Sequence, residues 1–262
     1  MSAQLDLNRL SLRQFAERFR GEMIPLSNTF SYFCASVPMS EDDLKEYLQE
    51  PVAALPPAVT AGLPKITILL VPYLERANGA HGTKSRAKVD ASDFVSIEKP
   101  PEGKLAKSAQ LRLGDETVLA FALKGQEVAE YHYLFYHLLA SLAGDQWSEE
   151  TESAYARVLR EELNAEAHGE VDEPSWRLKQ TLRRVQNSRG GGVQNSRTFR
   201  EYARQSFVDT LTLYLHGICC DIDVDTGPRQ LPSRYLRKRL MALEQMFPPP
   251  AGYVVFPEQL EP

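Results

Sequence analysis

The chain has 262 residues, 43% of them hydrophobic and 25% charged, with a formal net charge of −5. That balance excludes a disordered or membrane-embedded chain and suits a globular one long enough to bury a core without disulfide staples. The three cysteines, Cys34 and the adjacent Cys219 and Cys220, form no disulfide framework and show no CxxC or Cys/His metal spacing, so they read as reduced and buried. No apolar run reaches the ~18 residues of a membrane helix. The first residues, MSAQLDLNRLSLRQFAERF, lack the basic and apolar regions of a signal peptide, and a cytoplasmic protein with no membrane partner is expected.

In chain order, Leu10, Leu12, Phe15 and Phe19 fall at near-helical spacing, and SEDDLKEYL opens with Ser40 as N-cap and Asp43 three positions on. Pro51 is expected to end that helix, and the proline-rich stretch VAALPPAVTAGLP reads as a connector. KITILLVPYLE, from Lys65, is a short β-branched run bounded by Pro72, the pattern of a buried strand. RANGAHGTKSRAK (76–88) reads as a loop. Strands follow at DFVSIEK (from Asp93), AQLRLG (from Ala109) and ETVLAFALK (from Glu116), the last two joined by a tight turn at Gly114-Asp115. An α+β fold results, with a small, partly antiparallel sheet followed by a mainly helical C-terminal part.

Beyond the sheet the charge is strongly segregated. Between Asp145 and Glu173 ten acidic residues face Arg157 and Arg160, a balance of −8; between Arg177 and Arg204 eight basic residues face Glu201, a balance of +7. Blocks of opposite sign either pair as solvated helix faces of one fold or expose an anion-binding surface. For the second case the candidates are Arg183, Arg184, Arg237, Lys238 and Arg239. The pentapeptide VQNSR occurs at Val185 and again at Val193 around three glycines, which reads as a flexible linker over 185–197. It separates residues 1–184 from a C-terminal part, 198–262, expected to pack on the same domain. In that part Phe199, Tyr202, Phe207, Leu211 and Leu215 mark a helix capped at Gly217, ICCDIDVD reads as a strand, and Ser233 caps a last helix ended by Pro248. The last helix sets Leu236, Leu240, Leu243 and Phe247 on one face and Arg234, Arg237, Lys238 and Arg239 largely on others. GYVVFPE reads as a further strand.

The stretch AEYHYLFYHLLASLAG, Ala129 to Gly144, holds two of the five histidines in an otherwise apolar, aromatic run. On a helical wheel Glu130, His137 and Ser141 lie within about 40° of one another, with His132 nearly opposite. This polar stripe has a plain reading, a core histidine bonded to Glu130. It also has a sharper one. A sheet with a hairpin, then a buried helix bearing FYHLLASLAG, then an acidic helix resembles the zincin metallopeptidases, in particular those that cleave phage-type repressors. In that family the helix reads HExxH, two histidines holding zinc and the glutamate activating water. His137 alone matches; Leu138 stands at the glutamate position and Ser141 at that of the second histidine. The resemblance, over about Lys65 to Glu162, therefore implies a degenerate scaffold with no catalytic residues, metal or cofactor.

DIDVDTG, from Asp221, fails the calcium-loop pattern at Thr226 and Pro232, and the chain has no glycine-rich phosphate loop and no GxSxG elbow. The expected function is that of a non-catalytic regulatory or protein-interaction protein whose partner is another protein. A metal-dependent hydrolase with non-standard ligands and a nucleic-acid-binding accessory protein stand as alternatives. The linker reading makes a direct prediction: brief trypsin treatment of the native protein cuts first at the arginines around VQNSRGGGVQNSR, a preference read by mass spectrometry. Cleavage elsewhere while this segment survives would refute it.

Overall fold

A computed structural model describes residues 9–35, 39–76, 93–189, 196–220 and 229–256. The order is β1 (Arg9–Ser11), α1 (Leu12–Arg18), β2 (Ile24–Pro25), β3 (Phe30–Cys34), α2 (Glu41–Leu44), α3 (Glu50–Ala53), α4 (Pro57–Ala61), β4 (Lys65–Val71), β5 (Tyr73–Glu75), β6 (Phe94–Ser96), β7 (Leu105–Ala106), β8 (Ser108–Leu113) and β9 (Glu116–Ala122). The helices α5 (Val128–Asp145), α6 (Glu149–Asn164), α7 (Glu173–Arg189), α8 (Arg197–Cys219) and α9 (Ser233–Met246) follow. The class is α+β. By its internal contacts the chain divides into one unit of Met1–Gln49 and Leu63–Leu134 and another of Glu50–Gly62 and Phe135–Pro262, with one boundary inside α5. From sequence, the divisions were placed at the ends of 185–197.

The first unit is built on a mixed sheet in the order β2-β3-β4-β9-β8. β4 and β9 are apolar at nearly every position and buried on both faces, which suits neighbouring central strands in parallel, with Leu69 opposite Ala120 and Val71 opposite Ala122. β8 returns antiparallel to β9 through the expected turn, where Gly114 takes φ 65°, a left-handed conformation glycine adopts without strain. One face carries Leu69, Val71, Val118 and Ala120, covered by Leu12, Phe15 and Ala16 of α1 together with Leu74 and Val95. The last two belong to an antiparallel sheet in the order β1-β6-β5-β7. α1 itself starts on a capping box of Ser11 and Gln14.

A helix end at Pro51 is expected from sequence, but the chain stays helical to Ala53, passing through a π turn at Lys45–Gln49 and taking Pro51 into α3. The connector expected after it likewise contains a helix, α4, with Pro56 as N-cap and Pro57 at its first position, where a missing N–H costs nothing. Proline has no N–H to donate back into the preceding turn, whose carbonyls Tyr47 O and Glu46 O take side-chain donors. Tyr131 supplies the first, its hydroxyl donating to Tyr47 O at 2.7 Å. His132 supplies the second, with Nε2 3.0 Å from Glu46 O. Because a carbonyl only accepts, that ring nitrogen carries the hydrogen. Tyr131 also meets Phe121 of β9 edge-on at 4.9 Å, so one side chain fills the core and mends the helix.

In the second unit α8 lies at the centre, its Phe199, Tyr202, Phe207, Leu211 and Leu215 buried, with α6, α7 and α9 packed around it. Gly144 lets α5 approach closely, since a Cβ there would stand 2.9 Å from Val208 Cγ2. α8 does not stop at Gly217. It runs to Cys219, the backbone N–H of Cys220 donating to His216 O at 2.9 Å, so the strand expected from Ile218 is helix at its start. The rest of that stretch, 221–225, lies outside the described residues, as do 77–92, most of the RANGAHGTKSRAK loop. α7 extends through Arg189, so helix occupies the first VQNSR copy, and 190–195 lie outside the described residues. Within GYVVFPE the described residues Tyr253–Phe256 make no strand.

Tyr131→Phe keeps the ring in the core but leaves Tyr47 O without its donor. A loss of about 1–3 kcal/mol in urea-induced unfolding is expected. A stability equal to that of the parent would show that the carbonyl needs no such partner.

Candidate functional site

Among the described residues a dense constellation of ionisable side chains lies inside the second unit, on five segments. Glu162 comes from α6, Glu170 from the turn after it, Lys179 from α7, Tyr202 and Ser206 from α8, and Arg239 from α9. Helical spacing explains the gathering. Tyr155, Leu159 and Glu162 share the buried face of α6, Tyr202, Ser206 and Thr210 recur every four residues on α8, and Arg239 lies one turn before buried Leu243.

The Arg239 guanidinium is shared between two carboxylates. Nε stands 3.0 Å from Glu162 Oε1 and Nη2 2.6 Å from Glu162 Oε2, while Nη1 reaches Glu170 Oε2 at 2.7 Å and Ser206 Oγ at 2.8 Å. Lys179 Nζ pairs with Glu170 Oε1 at 3.0 Å and donates to Gly169 O at 2.8 Å. The Tyr202 hydroxyl also donates to Glu170. Two cations thus meet two anions, with at most 1% of any of the four side chains exposed. Gly169 closes the turn: it takes φ 77°, and a Cβ there would stand 2.0 Å from Gln230 O.

Burial pushes the Glu170 carboxyl up, but Arg239, Lys179 and the Tyr202 hydroxyl outweigh it and hold it at about 2. For Glu162 burial outweighs the bonds from Arg239, and its carboxyl lies above the ordinary value. Burial likewise raises the phenols, Tyr155 to about 12 and Tyr202 well above the usual value, so both act as neutral donors. Burial lowers the Lys179 ammonium, and Glu170 works against that shift. A sealed, mutually neutralised quartet of this kind sets the positions of helices. It offers no nucleophile or proton to a substrate in solvent.

The residues singled out in the sequence are dispersed. Glu130 pairs with Lys107 of the first unit rather than with a histidine. His137 lies in the second unit, half-buried, its Nδ1 3.4 Å from Thr212 Oγ1. Thr212 gives its own hydrogen to Val208 O at 2.8 Å, so His137 is the donor in that contact. Ser141 is half-buried on the same helix.

Of the five candidate anion-binding residues, Arg239 is corrected: it is fully buried among carboxylates. The signal was its placement one turn before Leu243, on the apolar face. Arg183 Nη2 donates to Ala167 O at 2.8 Å, just past the C-terminus of α6, where the helix dipole favours a cation. Lys238 pairs with Glu161, Arg237 lies over the Phe256 ring at 4.5 Å, and Arg184 is exposed. The acidic and basic blocks do pair, at the surface through Arg204 and Asp145 and in the interior through Lys179 and Glu170. The cysteines are half-buried rather than buried. No described helix is long and apolar enough to cross a membrane. No family model, curated protein or solved structure matches the chain.

Linkage fixes the pH dependence. Glu170, with its carboxyl held below the unfolded value, stabilises the fold above that value, and this contribution disappears as pH falls from about 5 to about 2. Glu162 acts in the opposite sense, a penalty at neutral pH that is relieved as it protonates. Glu170→Gln should therefore flatten the acid limb of urea midpoints between about pH 5 and 2. Arg239→Met, which strips both carboxylates of their shared cation, should cost ~3–5 kcal/mol at pH 7. An Arg239→Met protein as stable as the parent would refute the clamp.

Proposed function

We propose that the chain is a cytoplasmic, non-catalytic regulatory or protein-interaction protein on a degenerate zincin-like scaffold, acting through a protein partner. The observation that carries this reading is the closed quartet of Arg239, Glu162, Glu170 and Lys179, whose charges are consumed in holding α6, α7, α8 and α9 together. Binding asks for a rigid surface, and a neutralised internal clamp supplies rigidity without reactivity. The scaffold part of the reading is supported by the β8–β9 hairpin leading directly into α5 and by His137, Leu138 and Ser141 at the HExxH positions of that helix. A histidine already donating to Thr212, followed by Leu138 where zincin chemistry needs a base, fits a scaffold without its metal.

Two measurements test the parts separately. Leu138→Glu with Ser141→His restores the zinc-binding text one helical turn apart, and the folded double variant should take up one zinc beyond any held by the parent, with Kd below ~1 μM. A variant folded by circular dichroism that gains no zinc overturns the scaffold. Turnover of fluorogenic peptides by the parent with added zinc, abolished by His137→Ala, would instead overturn the non-catalytic assignment.

A further inference from the structure

The charges on the surface of the second unit pair unevenly. Part of the acidic block meets basic partners, as Arg204–Asp145, Lys238–Glu161 and Arg177–Glu173. Other arginines collect where three helices come together. Arg183 of α7 donates to Ala167 O just past the end of α6. Arg160, near the C-terminal end of α6, lies over the ring of Phe199 in the first turn of α8, its guanidinium carbon 4.8 Å from the centroid. Those two contacts bring the C-terminal halves of α6 and α7 to the N-terminal end of α8. Arg157 stands three residues before Arg160, Arg184 follows Arg183, and Arg200 stands three residues past Arg197; Arg157, Arg184 and Arg200 are exposed. Arg197 pairs with Glu201 at 2.9 Å, whereas among the described residues no carboxylate pairs with Arg157, Arg160, Arg184 or Arg200.

We propose that this arginine-rich end docks an acidic segment of another protein, an inference that rests on the protein-interaction reading above and gives its partner a chemistry. Charge complementarity carries it. Guanidiniums from α6, α7 and α8 meet at one place, and each can take a carboxylate through two parallel hydrogen bonds. Brought together they repel one another, and a partner of opposite sign relieves that repulsion. The first turn of α8, a helix of 23 residues, adds the positive end of its dipole. Residues three apart, such as Arg157 and Arg160, share one helix face about a turn apart, the interval at which an acidic helix repeats its carboxylates. The charge of the whole chain decides between anionic partners. At −5 it repels a nucleic acid, whose duplex carries a negative charge every ~1.7 Å, whereas a short acidic segment needs only the local surface.

Oligo-glutamate carrying a fluorophore is the probe, and its anisotropy reads binding to the full-length protein at low ionic strength. The parent should bind it, and added sodium chloride should weaken the binding, because exposed charges are screened. Arg157→Ser/Arg184→Ser/Arg200→Ser alters three exposed positions and should weaken binding about tenfold while the urea midpoint stays that of the parent. Arg13→Ser/Arg18→Ser/Lys65→Ser removes the same charge from the first unit and should leave the affinity within about twofold of the parent's. Parent protein that fails to bind oligo-glutamate overturns the proposal, as do two triple variants that lose affinity equally. Tighter binding of oligothymidylate than of oligo-glutamate overturns the choice of partner. None of these outcomes bears on the non-catalytic reading, which the peptide turnover assay tests by itself.

Discussion

Two carboxylates, a guanidinium and an ammonium sit in the interior of the second unit with essentially no access to water, and α6, α7, α8 and α9 meet through them. Burying any one of these charges alone costs several kcal/mol, and only close partners with good hydrogen-bond geometry return it. That requirement is restrictive in a way apolar packing is not. Leucines on α6 and α9 tolerate a sliding of the helices; a guanidinium divided between Glu162 and Glu170 does not. The turn between α6 and α7 is held to the same standard. Lys179 needs Gly169 O as well as Glu170, and Gly169 must come so close to Gln230 that no side chain fits.

A comparable constraint acts at lower energy around Glu46 and Tyr47. Pro51 removes a donor from a helix, and two carbonyls of the preceding turn, Tyr47 O and Glu46 O, are bonded by consecutive residues of α5, Tyr131 and His132. The aromatic, histidine-bearing run that looks like a site is thus a composite. Tyr131 and His132 satisfy orphaned carbonyls, Phe135, Tyr136, Leu139 and Ala140 are core, and His137 donates to Thr212. Tyr131, His132 and Tyr136 each give a hydrogen to a backbone carbonyl.

Much of this was legible in the sequence where periodicity and burial agree. The strands at Lys65, Ala109 and Glu116, the Gly114-Asp115 turn and the Ser40 cap could be read because each rests on neighbours in the chain. What escaped was tertiary. Pro51 reads as a helix end because nothing local shows that Tyr131 and His132, some eighty residues on, satisfy two carbonyls of the turn before it. Arg239 reads as surface because a single arginine on an apolar face gives no hint of two buried glutamates waiting opposite. The spacing was nonetheless in view: Arg239 precedes Leu243 by one turn, and Glu162 follows Tyr155 by two. The same holds for His216 and Cys220, one turn apart in the text but separated in the sequence reading by a helix end placed at Gly217. That end was wrong because a glycine within a well-packed helix costs only ~1 kcal/mol, which burial of Leu215 and Ile218 on either side offsets.

α8 joins these observations into one physical picture. A buried helix rich in hydroxyls would ordinarily be a liability, since serine and threonine compete for backbone bonds. Here the competition orients them. Thr210 gives its hydrogen to Ser206 O and Thr212 gives its own to Val208 O, so both oxygens face outward as acceptors only. The Tyr155 hydroxyl then shares its hydrogen between Thr210 Oγ1 at 2.7 Å and Ser206 O at 3.1 Å, and His137 donates to Thr212. The direction of each bond is fixed by the helix itself, and the tautomer of His137 follows from it. Ser206 extends the pattern to Arg239, which anchors the same helix to the quartet. A helix held this firmly along its length delivers its last turn, ~20 Å beyond Ser206 at 1.5 Å per residue, in a defined orientation. At that end the side chains are no longer hydroxyls locked to their own backbone but the imidazole of His216 and the thiols of Cys219 and Cys220.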